Sequence, residues 1–270
     1  MLEKELEIAI KAATLASKRI MEIYLGGFHV ETKSDDSPVT EADKASERII
    51  LSLLKEHFPQ DAILSEERDD DLSRLSNPRV WIIDPLDGTK DFVKKDGEFA
   101  VNIALSVNNE IALGLIATPN EDKIYYAVKG EGAFLLDKGS LQKITVSNRG
   151  KGEGFLLSSE SKTNQNEVNA FYSKNKEWFA SSPKALGSSL KMARIAEGKA
   201  DFFFRTNAVT KEWDVAPASI ILKEAGGLFL EGKTKREFVY NKEDVINHHG
   251  YIASNKELAP LAKLVEVKND

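Results

Sequence analysis

The chain has 270 residues, with 37 Lys plus Arg against 43 Asp plus Glu, and a formal net charge of −6 at pH 7. With no cysteine and only 4 His, it excludes disulfide frameworks, thiolate metal sites, iron–sulfur clusters and cysteine nucleophiles, so any metal it binds must be held by oxygen. The acidic balance argues against a nucleic-acid polymer as partner, and the length suits one large or two modest domains with a core that needs no staples.

The N-terminus is charged from its third residue, and no apolar run approaches the roughly 20 residues that a membrane helix needs. The expectation is a soluble, cytoplasmic protein with no membrane span. Leu2 to Tyr24 carries apolar residues at helical spacing through Leu6, Ile10, Ala13 and Ile20, and Gly26-Gly27 closes it. Glu41 to His57 repeats the pattern through Ala45, Ile49, Leu53 and Leu54. Ala62–Leu64 and Val80–Ile83 read as short strands separated by a polar loop, Glu66 to Asp71. Phe99–Val107 and Glu110–Ala117 read as a strand pair turned at Asn108-Asn109, their apolar runs interrupted by Asn102 and Gly114. Lys123–Val128, Ala133–Leu136 and Lys143–Val146 continue the meander.

The texture changes at the Gly150–Gly154 joint, which divides the chain into domains 1–150 and 151–270. Beyond it, Phe155–Ser158 is expected as a strand and Gln165–Phe179 as a helix. Ser188–Glu197 is expected as a helix with Ser188 near its N-cap and Gly198 past its end, followed by a strand over Ala200–Arg205. Asp214–Ala225 reads as a helix with Pro217 in its first turn, stopped by Gly226-Gly227 and followed by a strand over Leu228–Leu230. Helices, then a run of strands, then alternation: this order argues an α+β fold.

The most informative stretch is Trp81-Ile-Ile-Asp84-Pro85-Leu86-Asp87-Gly88-Thr89. An apolar strand delivers Asp84, Pro85 turns the backbone, and Asp87 returns a second carboxylate to the same mouth. Main-chain amides at Gly88–Lys90 could cradle a phosphate if a helix starts there. In isolation each piece has a plainer reading. Asp-x-x-Asp-Gly can be a turn, Glu66-Glu67 a solvated loop, and Asp43 and Asp214 helix caps. Each plain reading holds alone, but four such coincidences falling into one ordered pattern of acids point beyond turns, loops and caps.

That set resembles the lithium-sensitive, magnesium-dependent phosphatases of the inositol monophosphatase superfamily. The resemblance is carried by residues 81–89, by Trp213-Asp214 with Glu224-Ala-Gly-Gly227 downstream, by Ser37–Asp43 and by Ser65-Glu66-Glu67. It implies a layered α-β-α-β-α sandwich of the sugar-phosphatase type, with most metal ligands in the first half and Asp214 and the substrate contacts in the second. By the same resemblance, Glu66, Asp84 and the Leu86 carbonyl hold one Mg²⁺, and Asp84, Asp87 and Asp214 a second, with a third, weaker ion near Glu66 and Mn²⁺ as a substitute. Asp43 and Thr89 orient a metal-activated water for in-line attack, with inversion at phosphorus and no phosphoenzyme.

Further details resemble the branch that acts on 3′(2′),5′-bisphosphate nucleotides: Lys90 after Thr89, Gly97-Glu98-Phe99, the block Gly187-Ser188-Ser189-Leu190-Lys191, and Arg205 after its strand. This implies removal of the 3′-phosphate of adenosine 3′,5′-bisphosphate. Gly88, Thr89 and Lys90 would meet the reacting phosphate, and Ser188, Lys191 and Arg205 the nucleotide, with Lys191 or Arg205 near the retained 5′-phosphate. A solvated helix face for Lys191 and a strand-end charge for Arg205 are the plainer readings. The alternatives are an inositol 1-phosphate or sugar phosphatase such as one acting on fructose 1,6-bisphosphate, and a non-catalytic sensor of a phosphorylated metabolite. Homodimers are frequent in the family, and the composition does not decide the point. No role is assigned to His248, His249 or the stretch Asn207–Lys211.

Overall fold

The computed structural model describes residues 2–32 and 38–267. Ser37, the first residue of one stretch singled out above, lies outside the described residues. The chain runs α1 (Glu3–Gly26), β1 (Val30–Thr32), β2 (Pro38–Thr40), α2 (Glu41–His57), β3 (Ala62–Ser65), β4 (Arg79–Asp87) and α3 (Thr89–Lys94). The hairpins β5 (Ala100–Val107), β6 (Glu110–Thr118), β7 (Lys123–Val128), β8 (Gly132–Asp137) and β9 (Ser140–Ile144) complete the first half. Then come β10 (Leu157–Ser158), α4 (Lys162–Lys174), β11 (Lys184–Ala185), α5 (Leu190–Ala196), β12 (Phe202–Arg205), α6 (Glu212–Glu224), β13 (Leu228–Glu231) and β14 (Tyr251–Ser254).

Strands β3 to β9 form a seven-stranded sheet in sequence order. Its β3–β4 pair is parallel and the others antiparallel. Side-chain alternation divides its residues between two cores. Trp81, Ile83, Val101, Ile103, Leu113 and Leu115 face α1 and α2. Val80, Ile82 and Ala104 face the other way, onto α5 and α6 and the inner side of a second sheet, ordered β12-β14-β13. That sheet also alternates. Phe203, Tyr251 and Ala253 point inward, while Phe202, Phe204 and Ile252 pack against Val168 and Phe171 of α4. The layers are therefore helix, sheet, helix, sheet, helix, the α-β-α-β-α order expected from the sequence. The first sheet closes at Ile144 and the second opens beyond the Gly150–Gly154 segment, yet one core runs from Leu64 to Ala253.

Several element limits differ from expectation. Helix α4 begins before Gln165, at Lys162, because Ser161 caps it through the Asn164 amide at 3.2 Å; it ends at Lys174 rather than Phe179. Helix α5 starts at Leu190 rather than Ser188; its N-cap is Ser189, and the adjacent Ser188, at φ 43° in the preceding turn, accepts the Leu190 amide on Oγ at 3.4 Å. Helix α6 starts at Glu212, so Pro217 falls in its second turn rather than its first. Strand β14, the middle strand of the second sheet, was not foreseen; it is buried on both faces and shows no alternation. No helix among the described residues is long and apolar enough to cross a membrane.

Candidate active site

The site begins with an irregularity in β4. Asp84 pairs with Asn102 and Asp87 with Ala100, so the register advances three residues on β4 and two on β5. This is a β-bulge at Pro85-Leu86, where Pro85 has no N–H to give the ladder. In a regular strand, residues three apart point to opposite faces. The extra residue puts Asp84 and Asp87 on the same face, towards α6. Loop-like hydrogen bonds fix the bulge: the Leu86 amide donates to Asp84 Oδ1 at 3.0 Å, and the Ser46 hydroxyl to the Pro85 carbonyl at 2.7 Å.

The third acid comes from α6. Asp214 is the third residue of the helix, and its Oδ2 accepts the Lys211 amide at 2.6 Å, which fixes the first turn. Pro217 leaves the Trp213 carbonyl without its helical donor. Asn102, a fully buried polar residue in β5, supplies the missing bond from Nδ2 at 3.4 Å. The same amide lies 3.4 Å from Asp87 Oδ2, and Asn102 Oδ1 accepts the Ser189 hydroxyl at 2.8 Å. The Ser189 amide donates to Asp87 Oδ2 at 2.5 Å. Asp84, Asp87 and Asp214 thereby bring one oxygen each within 4.8 Å of one another.

Such crowding shows in the acidities. Burial, then the charges of Glu66, Asp87 and Asp214, hold the Asp84 carboxyl well above the usual range. Burial, then Asp87 and Glu66, push Asp214 up to about 8. Asp87 is also raised by burial, with Lys191 and the Ser189 amide opposing. A divalent cation would remove this conflict, and the donors are all hard oxygens.

Asp43 occupies the third position of α2, as Asp214 does in α6. Its Oδ2 accepts the Thr40 amide at 2.8 Å and the Thr40 hydroxyl at 2.7 Å, while Oδ1 faces the Thr89 hydroxyl at 3.0 Å. Burial pushes its carboxyl above the usual carboxylate range, with the Thr40 and Thr89 hydrogen bonds opposing. Gly88 has φ 91°, and a Cβ there would meet the Glu98 carbonyl oxygen at 2.9 Å and Ser188 Cβ at 3.2 Å. Helix α3 begins directly after it.

A cavity of about 480 Å³ opens over these groups. Every residue given a metal, catalytic or substrate role from the sequence lines it except Asp43, which is buried and reaches it through Thr89. Glu66, Lys90 and Ser188 are in the wall, as are Lys191 and Arg205. Lys191 is not on a solvated face. It is buried, donates to the carbonyls of Leu186 at 3.0 Å and Ser188 at 2.6 Å, and lies over the Phe203 ring. Burial and then Arg205 lower its ammonium to about 8. Arg205 Nε is buried without a hydrogen-bond partner.

Val209 and Thr210, from the stretch that resisted reading, join the wall. His248 and His249 instead pair with Asp244 and Glu231. The sequence reading named Asn102, Ser189 and Glu98 but gave them no role; the Glu98 carboxylate accepts the Gly187 amide at 2.5 Å. A lone polar residue inside an apolar strand was the available signal for Asn102.

Over residues 1–268 the chain matches the inositol monophosphatase family. It is 37% identical over 224 residues to the 3′(2′),5′-bisphosphate nucleotidase CysQ of Salmonella typhimurium, covering 82% of this chain and 88% of that protein. It is 33% identical to inositol monophosphatase 3 of Solanum lycopersicum, covering 85% of this chain and 86% of that one. Among solved structures, CysQ from Bacteroides thetaiotaomicron superposes with a TM-score of 0.79 at 29% identity, over 94% of this chain and 97% of the other. The Thermotoga maritima IMPase gives 0.81 at 28% identity, over 97% and 96%. The chain belongs to the inositol monophosphatase family of phosphatases.

Proposed function

We propose that the chain is a Mg²⁺-dependent phosphate monoester hydrolase that converts adenosine 3′,5′-bisphosphate to AMP and phosphate. The observation that carries this reading is the polarity of one cavity, with clustered carboxylates on one part of its wall and Lys191 and Arg205 on another. The nucleotidase relative at 37% identity supports the same substrate class. Glu66, Asp84, the Leu86 carbonyl, Asp87 and Asp214 would hold the metal. When bound, it supplies Lewis acidity to water and phosphate oxygens.

The chain's own groups do the rest. With its proton directed at Asp43 Oδ1, the Thr89 hydroxyl keeps its lone pairs free to accept from, and so orient, the attacking water. Backbone amides at Gly88, Thr89 and Lys90 suit the reacting phosphate. Arg205, with an unused buried donor, suits the retained 5′-phosphate together with Lys191 and Ser188. No side chain becomes phosphorylated, and the configuration at phosphorus inverts. We read residues 1–150 and 151–270 as two halves, so that the site is complete only when they pack.

The test is kcat/KM with Mg²⁺ on adenosine 3′,5′-bisphosphate, inositol 1-phosphate and fructose 1,6-bisphosphate. A tenfold preference for inositol 1-phosphate rejects the nucleotidase. Ligand binding without phosphate release from any of them favours a sensor. Calorimetry is expected to show that adenosine bisphosphate affinity collapses in EDTA, because the metal-free carboxylates repel it.

A further inference from the structure

We propose that Arg74, Asn241 and Glu212 are positioning residues that set the separation of Glu66 and Asp214, and through it the affinity of the site for its divalent cation. The inference rests on the metal-ligand reading of those two acids. Glu66 and Asp214 belong to opposite halves of the chain, and Asp214 feels the charge of Glu66. Like charges drive such acids apart, so something must hold their carriers together before a cation arrives.

The carrier of Glu66 is the β3–β4 connection, whose 3₁₀ turn Ser73–Ser76 contains Arg74. Arg74 is 1% exposed. Its guanidinium takes Asp70 Oδ2 through Nε at 3.0 Å and Nη2 at 2.7 Å, within its own loop. It then reaches across to Asn241 Oδ1 at 2.7 Å and the Lys242 carbonyl at 2.9 Å. Asn241 returns a bond from Nδ2 to the Arg74 carbonyl at 3.3 Å.

The carrier of Asp214 is the first turn of α6. Glu212, fully buried two residues before Asp214, accepts the Asn241 amide on Oε2 at 2.7 Å and the Lys242 amide on Oε1 at 3.0 Å. Asn241 is held at φ 57°, a left-handed conformation that a non-glycine residue adopts at a cost. The same segment grips the turn again. The Glu212 amide donates to the Val245 carbonyl at 3.0 Å, and Asn247 Nδ2 to the Lys211 carbonyl at 3.0 Å.

The chain therefore carries a strap of buried, hydrogen-bonded polar groups from one metal-bearing segment to the other. Burying Arg and Glu is a poor route to stability compared with apolar packing, whereas the directed bonds fix a geometry. That geometry is the gap between the two acids.

The test is Mn²⁺ titration of the full chain, read by the electron paramagnetic resonance of free Mn²⁺. In Arg74→Met the dissociation constant is expected to rise tenfold or more, and in Arg74→Lys by less, since the charge stays but the fork is lost. The half-saturating Mn²⁺ for phosphate release should rise by more than kcat falls. Asn241→Gly tolerates the backbone angle and removes only the side-chain link, so it carries the test if Arg74→Met does not fold; it too should weaken Mn²⁺ binding. Folded Arg74→Met or Asn241→Gly protein that binds Mn²⁺ within twofold of wild type overturns the inference. Asp214→Asn separates the two readings. If it binds Mn²⁺ like wild type, the ligand assignment falls and the strap with it. If it loses binding while the strap variants keep theirs, only the strap falls.

Discussion

The seat of α6 can be tested at Gly114. A Cβ at this position in β6 would lie 2.5 Å from Ile220 Cγ2, 2.7 Å from the Pro217 carbonyl oxygen and 2.8 Å from Pro217 Cα. Carbon atoms pack at about 3.5–4.0 Å, so Gly114→Ala forces α6 away from the sheet by about 1 Å. Two of the three contacts are backbone atoms and cannot rotate aside. Overpacking of this kind costs about 1–3 kcal/mol. Gly to Ala in a strand interior otherwise gains about 0.5–1 kcal/mol, so a net loss isolates the contact. The retreat would also break the 3.4 Å bond from Asn102 to the Trp213 carbonyl and displace Asp214. A misplacement of about 1 Å costs on the order of 100-fold in turnover. Urea unfolding and phosphate release, measured on the same preparation, should therefore both report a loss. An unchanged urea midpoint with turnover within twofold of wild type would refute the claim that this contact seats the helix.

Asp84→Asn is expected to abolish Mg²⁺-dependent phosphate release without lowering the urea midpoint in EDTA, because it removes a carboxyl already crowded by like charges; retained turnover would contradict the site. Thr40→Val removes a 2.7 Å bond that favours ionised Asp43, so the carboxyl titrates still higher. Since the ionised form is the acceptor for Thr89, the acidic limb of kcat/KM should move to higher pH, with a cap loss of about 1 kcal/mol; an unmoved limb detaches Asp43 from catalysis. Asn102→Leu strands the Trp213 carbonyl and should cost about 1–3 kcal/mol in urea unfolding while weakening Mn²⁺ binding. Arg205→Ala should raise KM for adenosine 3′,5′-bisphosphate by about tenfold or more, consistent with a charge-assisted bond, and leave inositol 1-phosphate unaffected; equal losses on both would count against a second-phosphate contact.

Much of this architecture is written locally. Helix α2 occupies the span its periodicity indicates, and Asn108 and Asn109, at φ 52° and 66°, make the hairpin turn expected of them. Elements whose limits depend on distant partners were harder to read. The start of α6 is set by the Glu212 contacts with residues 241 and 242, and β14 by burial between two neighbours. The capping and functional readings of Asp43 were never exclusive, since one oxygen caps the helix while the other faces Thr89. The interruptions at Asn102 and Gly114 were visible as oddities, but their purpose lies in Trp213 and Pro217, more than 100 residues away.

The bulge in β4 bears on how the site can be probed. Leu86 sends its side chain into the core beneath α1 and α2, yet the residue also lines the cavity on the other side. Unpaired with β5, its main chain faces the cavity, and the carbonyl oxygen lies 3.2 Å from the Thr89 hydroxyl. No side-chain replacement deletes that oxygen. An alanine scan would report Leu86 as a packing residue and pass over its polar contribution; only a change in the number of residues between Asp84 and Asp87, or in the proline that spaces them, reaches it.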